Sequence, residues 1–197
     1  MRLGVRVTLY TPTERLFDHG EPVLQRLLQA GLRKLGVQVK SKVKPADIEK
    51  RPLLLSAGVT PRVADLHLEN ARVRLNDSGG IAVDSMLKAS TERIYAIGDC
   101  TGTSALASVA MKQGKIAAEV LSGQRVQFAP LVIPSVVHTM PEFATVGLTL
   151  EEAVQAGYTT KSARFPFAAN GRALTLASDT GSALVVANSD DVLLGRR

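Results

Sequence analysis

Apolar and polar positions along this chain fall into two periods. Leu24, Leu27, Leu28, Leu32 and Leu35 recur at helical spacing and stop at Gly36, which predicts a helix closed by a glycine. Residues 37–43 then alternate, which predicts a strand, and residues 44–52 form a polar, charged bridge with a proline near each end. Further on, the run Ile94, Tyr95, Ala96, Ile97 reads as a short buried strand ending in Gly98-Asp99. Ala105, Leu106, Val109, Ala110, Ile116, Ala117, Val120 and Leu121 return to helical spacing, with Lys112, Lys115 and Glu119 on the other side and Gly123 as the stop. Thr103 or Ser104 is the predicted cap of that helix. The pattern therefore predicts a strand over 93–97 and a helix over 104–121.

Gly98-Asp99 is the first candidate for chemistry. A backbone without a side chain stands beside a carboxylate at the carboxyl end of a strand, where open α/β sheets hold ligands. The following helix offers free N–H groups and the positive end of its dipole. Taken alone, the same residues also read as a buried strand with a capping aspartate, followed by a plain amphipathic helix on a sheet.

The flanking segments change that balance. Residues 91–100, Thr-Glu-Arg-Ile-Tyr-Ala-Ile-Gly-Asp-Cys, closely resemble the second flavin-binding motif of the FAD- and NAD(P)-dependent disulfide oxidoreductases. Residues 134–149, with Thr-x-Pro-Glu at 139–142 and Val-Gly-Leu-Thr at 146–149, resemble the opening strand of that family's dimerisation domain, so 135–148 is expected to be mostly strand. Phe165-Pro166-Phe167 and Asn170-Gly171-Arg172-Ala173 resemble its second strand and the loop behind it. Ser56-Ala57-Gly58-Val59-Thr60-Pro61 resembles the strand and turn closing the nucleotide domain, and Gly79-Gly80-Ile81-Ala82-Val83-Asp84 the segment leading back to the flavin domain. Residues 3–11 resemble the second strand of the NAD(P) domain. Dihydrolipoamide dehydrogenases, mercuric reductases and related quinone reductases are the nearest groups.

The resemblance implies an α/β chain with an α+β C-terminal part. Residues 1–62 would be a partial NAD(P)-binding domain, 63–126 the C-terminal segment of the FAD-binding domain, and 127–197 the N-terminal part of the dimerisation domain. It implies FAD and NAD(P) as cofactors and hydride transfer from NAD(P)H through FAD to a disulfide or related acceptor. Gly98 and Asp99 would lie at the flavin, Asp99 accepting a hydrogen bond from the ribityl chain, and the backbone of Ala105, Leu106, Ala107 and Ser108 would face it. Thr11 and Gly58 would meet the nicotinamide nucleotide. Thr11 occupies a position that is acidic in NAD-preferring members, and Arg15 follows four residues on, which favours tolerance of a 2′-phosphate. Against this stands the reading of Thr11 as the start of a turn with Pro12.

The 197 residues contain no Gly-x-Gly-x-x-Gly, and their one cysteine, Cys100, lies in the flavin motif. No intramolecular dithiol can form. The family's small antiparallel excursion before Leu53, Leu54 and Leu55 is replaced by residues 44–52. These departures predict a truncated piece of the enzyme with an internal deletion near 44–52, no catalytic residues of its own, and no activity alone. The alternative is a non-catalytic interaction module, or a truncated gene product, pairing with a full-length relative through the dimerisation strands. A homodimer is the other expected assembly.

Composition narrows the remaining classes. A chain that is 45% hydrophobic and 21% charged is globular in type. No apolar run approaches the ~20 residues of a membrane-spanning helix, Arg2 and Arg6 interrupt any signal-peptide core, and one cysteine gives no disulfide framework, so a cytoplasmic protein without membrane partners is expected. The formal charge of +6 is scattered, and no tryptophan is interleaved with it, which argues against nucleic acid. His138 and Glu142 are four apart, but Pro141 lies between them in a strand-like pattern, which argues against a metal pair. His67 and His19 have no evident partner, Asn188-Ser189-Asp190-Asp191 is a turn composition, and Glu21 before Pro22 is helix-start chemistry.

Overall fold

A computed structural model describes residues 4–14, 16, 22–49, 52–140 and 142–196, and side chains are described for all of these except 22–24. Arg15, His19 and Glu21 lie outside the described residues. The chain divides into two compact units, Met1–Leu53 with Pro134–Arg197, and Leu54–Ile133.

The first unit opens with β1 (Thr8–Tyr10), α1 (Pro22–Lys34) and β2 (Gln38–Lys40), and β2 pairs parallel with β1, Leu9 opposite Val39. This is the strand–helix–strand unit that the pattern requires, since parallel neighbours need a crossover. Gly36, with φ +76°, ends α1, and the N–H of Val37 donates to the carbonyl of Leu32. Among the stripe leucines whose side chains are described, Leu28 is the buried one, only 2% exposed. Both strands are shorter than expected. After Lys40 the chain folds back, Lys42 adopting φ +59° and the N–H groups of Lys42 and Val43 donating to the carbonyls of Thr13 and Thr11. A left-handed residue ends the pairing.

The rest of this unit is an antiparallel sheet of β3 (Ser135–Val137), β4 (Phe143–Gly147), β5 (Thr160–Pro166), β6 (Ser182–Asn188) and β7 (Leu193–Arg196), in the order β3-β4-β7-β6-β5. To number the helices, α2 (Ala107–Leu121) belongs to the second unit, while α3 (Leu150–Gln155) and α4 (Gly171–Thr175) belong here. Residues 135–148 are mostly strand as expected, but as two strands that pair with each other, because the chain turns at 139–140. Gly147 faces Gly195 between β4 and β7, and a Cβ on either would strike the backbone of the other strand's end, at Leu194 and Leu148. That close approach is a physical reason for the glycine of Val-Gly-Leu-Thr. Thr149 then caps α3: its Oγ1 accepts from the N–H of Glu152, whose carboxylate accepts from the N–H of Thr149. Asn188 closes the β6–β7 turn, its Oδ1 accepting from Asp190 and Val192, as the composition of 188–191 predicts.

The second unit is built on α2 and irregular chain. Val63, Val73, Ile81, Ala89 and Ala96 form one core cluster, and Leu87, Ile116, Ala117 and Val120 another. The strand expected over 93–97 is not a strand but extended chain, with Tyr95 making one isolated bridge to Lys88. The N–H groups of Ala89 and Ala96 bond the carbonyls of Ile94 and Leu87, but Leu87 and Arg93 adopt φ +64° and +66°, so the ladder cannot continue. Residues 53–61 also form no strand, and Leu54 is 91% exposed. No described helix is long and apolar enough to cross a membrane.

Candidate functional site

Gly98–Thr101 is a 3-10 turn that follows the extended residues 94–97 and packs against α2. Gly98 has φ +73°, where glycine carries no Cβ penalty, and a Cβ there would come within 3.2 Å of that of Ala110. Its buried N–H donates to Oε1 of Gln113 at 2.6 Å, which ties the turn to the middle of the helix. Thr101 is fully buried, and its hydroxyl donates to the carbonyl of Gly98 at 2.8 Å.

A second turn supports the first from the other side. Asn76 donates through Nδ2 to the carbonyl of Thr101, while its Oδ1 accepts from the N–H groups of Ser78 and Gly80. Ile81 donates to the carbonyl of Cys100, and a Cβ on Gly80 would overlap the backbone of Thr101. Asn76, Thr101 and Gln113 are thus the residues that sequence reasoning missed, while Gly80 belongs to a segment it had marked. The first was signalled by the turn composition of Asn76-Asp77-Ser78-Gly79-Gly80; Gln113, a polar residue at a buried helical position, carried the clearer signal.

Asp99 is exposed on this rigid turn, and its carboxylate makes no hydrogen bond or ion pair with the described residues. Cys100, half-buried beside it, donates its S–H to the carbonyl of Ile97 at 3.2 Å. The helix starts later than expected. Ala105 and Leu106 precede α2, Ala107 and Ser108 are its first residues, and Leu106 is the N-cap without a side-chain cap. Neither Thr103 nor Ser104 caps it; the Thr103 hydroxyl bonds that of Thr101 at 2.9 Å. Ala105, Ala107 and Ser108 are exposed, and the N–H groups of Val109 and Ala110 both donate to the carbonyl of Leu106, so no side chain closes the start of the helix. An exposed carboxylate on a fixed turn, packed against a helix with an open N-terminus, suits a ligand carrying hydroxyl donors and electron-rich atoms.

The two nucleotide candidates belong to different units. Thr11 is buried just after β1, its hydroxyl bonding that of Thr13 at 2.8 Å and accepting from the Thr13 N–H, which is turn chemistry. Gly58, with φ +103°, lies in exposed irregular chain of the other unit. His138 and Glu142 do meet, Nδ1 to Oε1 at 2.8 Å, both exposed. His67 stands 3.5 Å from Glu69. Among the described residues no three His, Cys, Asp or Glu are grouped to hold a metal. A cavity of about 440 Å³ in the first unit is lined by Leu28, Val136, Glu142, Phe143, Phe167 and Arg196 among others, and Thr11 is not part of its lining.

Comparison with known proteins gives a consistent result. Residues 1–114 match the family model described as pyridine nucleotide-disulphide oxidoreductase, and residues 133–196 match the dimerisation domain of the same family. A dihydrolipoyl dehydrogenase of Thermus scotoductus is 37% identical over 217 residues, covering 98% of this chain and 47% of the relative. One from Pseudomonas aeruginosa is 35% identical over 210 residues, covering 98% and 45%. The fold matches the HOCl-induced flavoprotein disulfide reductase RclA of Escherichia coli in its Cu(II) complex, with a TM-score of 0.90 at 22% identity, covering 98% of this chain and 49% of that one. It also matches LpdA of Mycobacterium tuberculosis, with a TM-score of 0.87 at 25% identity, covering 98% and 46%. The chain thus spans about half the length of the relatives it matches. With two family models in order along it, and the glycine–aspartate turn set against α2, this chain belongs to the pyridine nucleotide-disulphide oxidoreductases.

Proposed function

We propose that this chain supplies the ribityl-facing part of a flavin site in an oxidoreductase resembling dihydrolipoamide dehydrogenase. The exposed Asp99 on a turn pinned by Gln113 carries this reading. Asp99 would accept a hydrogen bond from a ribityl hydroxyl, and the first turn of α2, from Ala105 to Ser108, would direct backbone N–H groups at the flavin ring. When bound, FAD supplies the hydride relay from NAD(P)H to a disulfide or related acceptor. The residues present fit the middle of such a cofactor, since the Asp99 carboxylate is exposed and no side chain caps the helix.

By itself the 197-residue chain is inactive in this reading. A pyrophosphate is normally held by a glycine-rich loop at a helix N-terminus, and none occurs in these residues. One charge-assisted hydrogen bond contributes about 1.5–3 kcal/mol against an association cost of roughly 4–15 kcal/mol. The single cysteine forms no internal disulfide. The alignment to the Thermus relative, at 217 residues, is longer than this chain, which supports a deletion, placed here near 44–52. Thr11 and Gly58 remain the proposed nucleotide contacts.

A second reading has its own observation. β5 is an edge strand, exposed over residues 161–166, and edge strands invite pairing. A homodimer, or pairing with a full-length relative through the dimerisation strands, would use it. Two experiments test the main reading. The purified chain should lose FAD on gel filtration and reduce neither lipoamide nor glutathione disulfide with NAD(P)H. A covalent chimera, with this chain replacing the matched part of the Thermus enzyme, should retain FAD and lose it on Asp99→Ala. A chimera that folds but binds FAD equally with and without Asp99 refutes the flavin reading.

A further inference from the structure

The exposed carboxylate of Asp99 projects from a turn whose backbone is bonded on both sides of it. The Gly98 N–H donates to Oε1 of Gln113 at 2.6 Å, and the Gly98 carbonyl accepts from the Thr101 hydroxyl at 2.8 Å. The carbonyls of Asp99 and Cys100 accept from the N–H groups of Gly102 at 3.0 Å and Ile81 at 2.8 Å. Nδ2 of Asn76 reaches the carbonyl of Thr101 at 2.8 Å. Gln113 is the unexpected partner. The other buried positions of α2 are Val109, Ile116, Ala117 and Val120, so its inward face calls for an apolar residue there. Instead it holds an amide that is 1% exposed and whose Nε2 has no hydrogen-bond partner. A helical side chain leans toward the N-terminus, which carries this amide back to Gly98, beside Ala110. An orphaned buried donor works against stability, and local conflicts of this kind gather where function requires them.

We infer that Gln113 is a positioning residue for the flavin: by holding the Gly98 N–H it fixes the Asp99 carboxylate for a ribityl hydroxyl before the cofactor arrives. This rests on the flavin-site reading. A hydrogen bond adds most to affinity when its acceptor needs no ordering on binding, and a turn already fixed by the fold spares that cost. The buried amide acts through Gly98 and Asp99, which sets two limits on its effect. Its loss weakens FAD binding by no more than the loss of the Asp99 carboxylate does. Once that carboxylate is gone, its loss has nothing left to weaken. An amide kept for packing alone obeys neither limit, because removing it would lower affinity equally with and without Asp99.

The test is a double-mutant cycle on FAD affinity, measured by flavin fluorescence as the apo form of the covalent chimera with the Thermus scotoductus enzyme is titrated with FAD. Asp99→Ala should weaken binding by roughly tenfold or more. Gln113→Met should weaken it by about fivefold or more, without exceeding the Asp99→Ala loss, and in the Asp99→Ala background it should change affinity by less than about twofold. Gln113→Leu, equally without an acceptor, should match Gln113→Met within about threefold, which separates the lost acceptor from the fit of one side chain. Affinity that falls on Asp99→Ala but ignores Gln113→Met overturns the positioning role and leaves the flavin reading standing. Equal losses on Gln113→Met in both backgrounds make the amide structural and overturn the role as well. Affinity indifferent to Asp99→Ala sinks the flavin reading, and the positioning role with it.

Discussion

Replacing Gln113 by methionine separates the two ends of one buried amide. Gln113 is 1% exposed; its Oε1 accepts from the Gly98 N–H at 2.6 Å, while its buried Nε2 has no hydrogen-bond partner. Gln113→Met keeps an unbranched chain of similar volume, a swap that costs under about 1.5 kcal/mol in packing. It leaves the Gly98 N–H buried without an acceptor, at about 1–3 kcal/mol, and removes an unpaired Nε2 whose burial costs a similar ~1–3 kcal/mol. The two terms oppose, so the net loss of stability should stay near 1 kcal/mol. Gln113→Ala gains no filled volume and adds a cavity to the lost acceptor, for roughly 2–5 kcal/mol. Urea unfolding followed by circular dichroism measures both. Amide exchange at Gly98 should quicken by about tenfold or more in the methionine variant while the core of α2 keeps its protection. A methionine variant as unstable as the alanine one would refute the reasoning, because Nε2 would then be making a bond worth keeping.

Further expectations follow from the same structure. Asp99→Ala should change stability by no more than ~0.5 kcal/mol, since its carboxylate is exposed and unengaged; a loss above 1 kcal/mol in a urea titration would make it a structural residue and weaken its role toward a ligand. Leu87→Ala should cost about 2.7–5 kcal/mol, because Leu87 is 1% exposed and packs with Ile116, Ala117 and Val120, and thermal unfolding reads this directly. Thr149→Ala should cost about 0.5–2 kcal/mol through the reciprocal cap with Glu152, and Thr149→Asp should recover most of it.

Much of this protein was written in local patterns. Leucine spacing with Gly36, the stripe of α2 and the turn chemistry of 188–191 depend on neighbours a few residues away, so sequence determined them. The family motifs were equally local, and the order of their matches gave the α/β and α+β parts. What sequence misjudged was strand extent. Residues 93–97 and 53–55 have strand-like composition, but a strand exists only where another segment offers a matching ladder, whereas 135–148 is mostly strand as expected. Left-handed residues at Leu87 and Arg93 cut short the first ladder, no described residue pairs with the second, and a turn at 139–140 divides 135–148 into two strands. The support of the Asp99 turn was likewise decided only in three dimensions. Gln113 reaches Gly98 across 15 residues and Asn76 reaches Thr101 across 25. No periodicity encodes such contacts, because they depend on where the folded chain brings a buried amide against a distant backbone N–H or carbonyl.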